Sequence, residues 1–402
     1  MDARTPIEGS SNLIAFAPAF NLDCDMFVVG TNRGFKTQTD FVEGGVGLIG
    51  IVRRSNVVPI VGGSKKPVFN PTKVVVYDSS CEKFVRSIQF SQPVRGLRVL
   101  GNKLLVVLDH EVSIYDFIRD PKLEQQFTTT FNRRGLCAVS DTNFAILGQI
   151  PGHVKIVNNT TFDVSIIPAH SSELAAIALS RDGSLLATAS EKGTLIRVFH
   201  TTNSGRVAEL RRGVDQVAIF SLGFNPSGTM LACTSDKGTL HIFDIPHQSG
   251  AEYPPATATT GVPSEVGGGE WAYEESDGGV SHGYDNRSEH NDGSRGDGNG
   301  RWGVLGKIPF MPKYFRDTVS FANAEFALDD GPGPNRHREA RELAAMGWTR
   351  LPRGTVGWTD ENTVVVLGAG IDPKYERFGI SVGSDGQRVC QRQAWANYLT
   401  KG

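Results

Sequence analysis

An all-β, seven-bladed β-propeller of the WD40-like kind is the fold that this 402-residue sequence predicts. Three observations predict it. Residues 177–199 (IALSRDGSLLATASEKGTLIRVF) repeat as 222–243 (LGFNPSGTMLACTSDKGTLHIF). The offset is 45 residues, aligning Ser190 with Ser235, Gly193 with Gly238 and Thr194 with Thr239. A period of about 40–45 residues built from several short strands marks a propeller blade. One strand type recurs as KVVVYDS (73–79), EVSIYDF (111–117), HVKIVNN (153–159) and LHIFDI (240–245). Helical periodicity, finally, is nearly absent.

Taken in order, residues 1–10 read as a disordered N-terminal tail and 11–402 as the propeller. FVVGTNRGF (27–35) opens the strand pattern and NTVVVLGAG (362–370) extends it to the C-terminal end, giving about seven units. The stretch GVGLIG (45–50) matches GxGxxG, but a dinucleotide site needs those glycines to end a strand and open a helix. Here IVRRSNVVPIV follows, so a glycine-rich strand or turn is the better reading. NRHREARELAAMG (335–347) is the exception to the β pattern and predicts a short surface helix ended by glycine. Residues 246–300 hold twelve glycines, ten acids and two bases, with few aliphatics. Such a segment cannot bury enough apolar surface to order itself, and is expected to be a disordered loop inserted in blade six.

Charge follows the same division. That segment carries a formal −8, so the rest of the chain is +6 against a total of −2. Cys24, Cys81, Cys137, Cys233 and Cys390 are scattered with no CxxC pair, which argues against a zinc site or a disulfide framework and for reduced, cytosolic thiols. The N-terminus has no basic-then-apolar leader, and no run of roughly 18 apolar residues could span a bilayer. No nucleophile elbow, HExxH, phosphate-binding loop or ligand cluster is present. His110, His153 and His200 stand alone near strand ends and read as structural. No enzyme, metal or cofactor is expected.

The remaining signal is AELRRGVDQVAIFSLGF (208–224). Arg211 and Arg212 fall between the two best repeats, where neighbouring side chains diverge. Arg211 can turn towards His170, Ser190, Thr194 and Arg197, and Arg212 towards Ser235, Thr239 and His241. Thr188 and Lys237 join these sets on chemistry alone. Each set combines a guanidinium, hydroxyls and an imidazole, which suits a phosphate monoester. Nucleic-acid binders interleave aromatics or basic helices, and neither is evident here.

With the repeats and this pair in place, the chain resembles the PROPPIN family, WD-repeat propellers that bind phosphoinositides in autophagy. The resemblance rests on 170–201, ELRRGVDQVAIFSLGF (209–224) and LACTSDKGTLHIF (231–243). LRRG is the form of the branch with Hsv-type and WIPI-type members, Leu210 standing as a packing residue in place of Phe. The resemblance implies seven blades, and binding of phosphatidylinositol 3-phosphate and the 3,5-bisphosphate at two sites flanking the motif. Carried over by position, His170, Ser190, Thr194, Arg197 and Arg211 form the first, and Arg212, Ser235, Thr239 and His241 the second. It also implies peripheral attachment, from the cytoplasm, to phagophore (preautophagosomal), endosomal or vacuolar membranes. The family's autophagy lipid-transfer partner would dock on blades two and three. The blade-six loop corresponds to the family's membrane-inserting loop. Here an anionic leaflet would repel the acidic segment, leaving insertion to Trp271, Tyr273, Trp302 and Phe310, with a plain tether as the alternative. Two other readings stay open: a WD-type propeller gripping an acidic or phosphorylated protein, and a propeller hydrolase.

Overall fold

Apolar runs such as Lys103–Val107 (KLLVV) and Thr363–Leu367 (TVVVL) form strands buried almost throughout. Each such strand lies inside a sheet packed between two others, so neither of its faces meets water. The computed structural model describes residues 13–36, 44–51, 56–117, 120–246, 319–328, 341–344, 346 and 351–399. These form one compact unit of seven antiparallel sheets.

Among the described residues, blade one spans 15–36 with three strands. Blades two to seven span 46–89, 96–128, 137–168, 174–211, 219–325 and 355–397, each a four-stranded meander. Outer strands are edges and are correspondingly polar: Lys122–Thr128 (KLEQQFT) is mostly exposed. The ring closes through blades one and seven. Ala15 and Gly370 exchange backbone hydrogen bonds of 2.7 and 2.9 Å, and Phe27 packs on Tyr375 and Tyr398. Seams between blades are apolar. Ala187, Ala189, Ile196 and Leu210 of blade five share one cluster with Ile219, Leu231, Cys233 and Phe243 of blade six. The five cysteines are free thiols, and burial pushes Cys137 and Cys233 up to about 12.

The glycine-rich stretch is indeed a strand, Val46–Ile49, which pairs with Val57–Gly62 and opens no helix. In blade six, Thr239–Asp244 pairs with Ala322–Glu325, so 247–318 connects the third and fourth strands of one blade. Residues 1–10, nearly all of 246–300 and the loop candidates Trp271, Tyr273, Trp302 and Phe310 lie outside the described residues.

Two expectations change. The 335–347 segment is helical over 341–344, and it is not merely a surface helix: Leu343 and Met346 are buried against Ile14, Phe16, Leu351 and Ala369. The two best repeats also do not align throughout without a gap. Ala189 pairs with Ile196, whereas Thr234 pairs with Leu240. Blade five therefore has one more residue in the turn after Ser190 than blade six has after Ser235. As a result Arg197, not Ile196, occupies the position of His241.

Candidate functional site

Strand Arg206–Arg211 is the outer strand of blade five, paired with Leu195–His200. Leu210 is fully buried in the seam with blade six, which fixes the strand's rotation. Arg211, the next residue, is accordingly exposed. The chain then bends towards blade six. Arg212 N–H donates to Thr194 O at 3.0 Å, tying the motif to the blade-five turn. Its Nη2 donates to Asp215 O at 2.9 Å, while its Nε is buried with no hydrogen-bond partner. Such a donor is costly to leave unpaired.

The first residue set gathers around the blade-five third strand. His170 comes from the connection between blades four and five, and its Nε2 lies 3.1 Å from Thr188 Oγ1 and 3.3 Å from Thr188 O. Burial, with Arg197 second, pulls His170 down to about 4, so its imidazole is neutral at pH 7. Thr188 is fully buried, and its hydroxyl donates to Arg197 O at 3.3 Å, which makes it a packing residue here. Ser190 is buried and Thr194 half-buried. Gly193 adopts a φ of 65° between them, its N–H donating to Ser190 O at 3.0 Å. That left-handed turn sets Thr194 beside Arg212. Arg197 is not free: Nε donates to Glu209 Oε2 at 2.8 Å and Nη1 to Ala169 O at 2.7 Å.

The second set repeats the geometry with different side chains. Gly238 has a φ of 70° and its N–H donates to Ser235 O at 3.1 Å. Ser235 is fully buried, with its hydroxyl 3.5 Å from that of Thr239. His241 Nδ1 lies 3.2 Å from Ser320 Oγ. Burial and then the Arg212 charge pull His241 down to about 4. The charge of Arg212 thus reaches His241 in blade six, while its backbone N–H is tied to Thr194 in blade five. Lys237 is exposed on the turn.

Sequence reasoning missed Glu209, Arg206 and Ser320. Arg206 Nη1 also donates to Glu209 Oε2, at 3.1 Å. Glu209 lies directly across from Arg197, so the signal was there as a cross-strand pair of opposite charges, but only for a reader holding the register. None of the candidate residues among those described lines the central channel, a cavity of about 510 Å³. Arg95, Arg98, Arg133 and Arg134 line it together with Glu173 and Glu191, and Glu191 pairs with Arg134 at 3.0 Å.

The PROPPIN family model matches residues 13–261. SVP1-like protein 2 of Neurospora crassa is 38% identical over 438 aligned residues covering 99% of each chain. The chain belongs to the PROPPIN family. Autophagy-related protein 18e of Arabidopsis thaliana is 32% identical across 59% of this chain and 68% of that one. Among solved structures, Kluyveromyces lactis Hsv2 matches with a TM-score of 0.66 and 17% identity, covering 96% of this chain and 99% of that one. The complex of KlAtg21 with the coiled coil of AgAtg16 matches with a TM-score of 0.59 and 18% identity over the same shares. At these identities the structures speak for the fold alone, a PROPPIN seven-bladed propeller. PROPPINs as a family bind phosphoinositides, belong to the autophagy proteins and are typically non-enzymatic scaffolds. Among the described residues, no helix is long and apolar enough to cross a membrane.

Proposed function

We propose that the pockets on either side of Arg211 and Arg212 each take a phosphoinositide headgroup, phosphatidylinositol 3-phosphate or the 3,5-bisphosphate. The chain would then be a peripheral membrane scaffold that recruits autophagy machinery. The carrying observation is the pair itself: an exposed Arg211, and an Arg212 whose buried Nε has no acceptor, at the seam of two blades. A guanidinium can offer a phosphate two parallel N–H donors. His170 Nε2, Ser190 and Thr194 stand on one side, and Ser235, Thr239 and His241 on the other. Both histidines are neutral at pH 7, and an approaching phosphate would favour their protonation. Two weak sites on one rigid body raise each other's effective ligand concentration, so binding should depend steeply on lipid density. Peripheral attachment to phagophore, endosomal or vacuolar membranes follows from the same reading. Docking of the family's lipid-transfer partner on blades two and three is part of the proposal.

A second reading is an acidic or phosphorylated protein on the same arginines. The KlAtg21 complex favours keeping it, because that propeller holds a coiled coil. Vesicle flotation separates the two. Wild type and the Arg211→Thr, Arg212→Thr double variant are compared on vesicles with the 3-phosphate, the 3,5-bisphosphate, the 4-phosphate or no phosphoinositide. Selective flotation should fall more than roughly tenfold in the variant while its melting temperature holds, since exposed guanidiniums contribute little to stability. Wild type that stays folded and ignores every vesicle sinks the lipid reading.

A further inference from the structure

One register position in the two candidate sites carries different chemistry. Blade five places Arg197 opposite Glu209, whereas blade six places His241 opposite Asn323. The match is set by the preceding pairs, Ala189 with Ile196 and Thr234 with Leu240. Glu209 Oε2 accepts from Arg197 Nε at 2.8 Å and from Arg206 Nη1 at 3.1 Å. Arg197 spends a further N–H on Ala169 O. Its Nη2 and one N–H of Nη1 remain for another acceptor. Glu209 thus holds the guanidinium in one orientation and, shared with Arg206, offsets only part of the positive charge, leaving the three side chains at a net +1. In blade six the corresponding pair is an imidazole and an amide, with no carboxylate at the matching position.

Resting on the lipid reading above, we propose that Glu209 sets specificity in the first site, fixing Arg197 while limiting how much negative charge the pocket accepts. A carboxylate in the shell of a phosphate repels it, and the repulsion grows with the ligand's charge. With Glu209 present, the charge of Arg197 is partly offset, Arg211 is the main cation the pocket offers and a monophosphate suffices to match it. Without that acid, Arg197 adds a second uncompensated charge and a bisphosphate gains most. A purely structural role accounts poorly for the residue. Its side chain and that of Arg197 are about a quarter exposed, 23% and 28%, where an ion pair contributes little to stability. The fold also accepts an amide at the matching position, Asn323.

Three variants test this beside wild type, each checked by thermal melting: Glu209→Gln, Glu209→Ala and Asn323→Asp. Binding is titrated on vesicles of equal total charge carrying the 3-phosphate, the 3,5-bisphosphate or neither. Glu209→Gln keeps an acceptor for Arg197 and removes the charge. It should tighten binding roughly threefold for the monophosphate and roughly tenfold for the bisphosphate, the logarithm scaling with ligand charge. Glu209→Ala releases Arg197 and should recover only part of that gain. Asn323→Asp should weaken both lipids, the bisphosphate more. If wild type binds but Glu209→Gln leaves the ratio of the two lipids unchanged, or weakens both, the assignment is overturned. If wild type binds neither vesicle, the lipid reading itself falls, and the role of Glu209 with it.

Discussion

Blades five and six are close copies, and they differ where a ligand would reach. Both place serine, left-handed glycine and threonine in the turn after the second strand. Both line their shared seam with apolar residues: Ala187, Ala189 and Ile196 in one, Leu231, Cys233 and Phe243 in the other. The third and fourth strands are where they part, with Arg197 and Glu209 against His241 and Asn323. Blade five also closes its last two strands through the short turn between His200 and Arg206, while blade six delays its fourth strand until Ala322. Strand order is the same in both. Packing against neighbouring blades thus dictates which positions are apolar and which face the rim, and leaves open the residue type at the rim. The same scaffold can hold an ion pair in one copy and a neutral pair in the next.

The strongest way to break the likeness is at the motif's own anchor. Leu210 pairs with Ile196 and is fully buried, whereas its counterpart across from Leu240 is the half-buried Ala324. Leu210→Ala should cost about 3 kcal/mol, as expected for emptying a leucine-sized volume in a packed core. Thermal or urea unfolding would register it. Because Arg211 and Arg212 follow directly, vesicle binding should fall as well. A stability loss under about 1 kcal/mol would mean that the motif's strand is not anchored through this seam.

The turn glycines give a smaller, paired test. Both have positive φ, a conformation that costs an L-residue about 1–2 kcal/mol. Their surroundings differ. A Cβ on Gly193 would meet Val217 O at 2.0 Å, while one on Gly238 finds its nearest neighbour, Phe326 O, at 3.2 Å. Gly193→Ala should therefore cost about 2 kcal/mol or more, and Gly238→Ala about 1. Equal melting temperatures for the two variants would show that blade six is as tightly closed over its turn as blade five.

These differences also mark where the sequence stops being readable. The 45-residue repeat, the recurring strand type and LRRG sufficed for the propeller and for the place of the arginine pair, since both follow from periodicity and from residue chemistry. The one-residue longer turn of blade five did not show, because KGTL matches KGTL perfectly and the slip appears only in the pairing of Ile196 and Leu240. Glu209 was hidden for the same reason: its partner is twelve residues away and is found only through register. The helix at 341–344 was read as surface because its charged residues dominate the pattern. Its buried contacts, Leu343 and Met346, lie against blades one and seven, far away in sequence.

The smallest expected effect concerns what the two sites share. His170 and His241 are both pulled down to about 4 in the folded chain, each chiefly by burial and then by a nearby arginine. An unfolded histidine titrates near 6.5. The folded state therefore binds fewer protons between these values, and the stability it gains from keeping the imidazoles neutral is fully present above about pH 6.5 and declines as pH falls towards 4. Between pH 6 and pH 5 the loss should be about 1 kcal/mol per histidine, read as a falling urea midpoint at constant m. His170→Gln should remove part of that slope, and His241→Gln a similar part, since the two sites bury their imidazoles to similar effect. A bound phosphate reverses the preference by stabilising the protonated ring, so vesicle binding should strengthen over the same pH range in which the free protein loses stability. Binding that weakens in step with stability would mean that neither imidazole meets the headgroup.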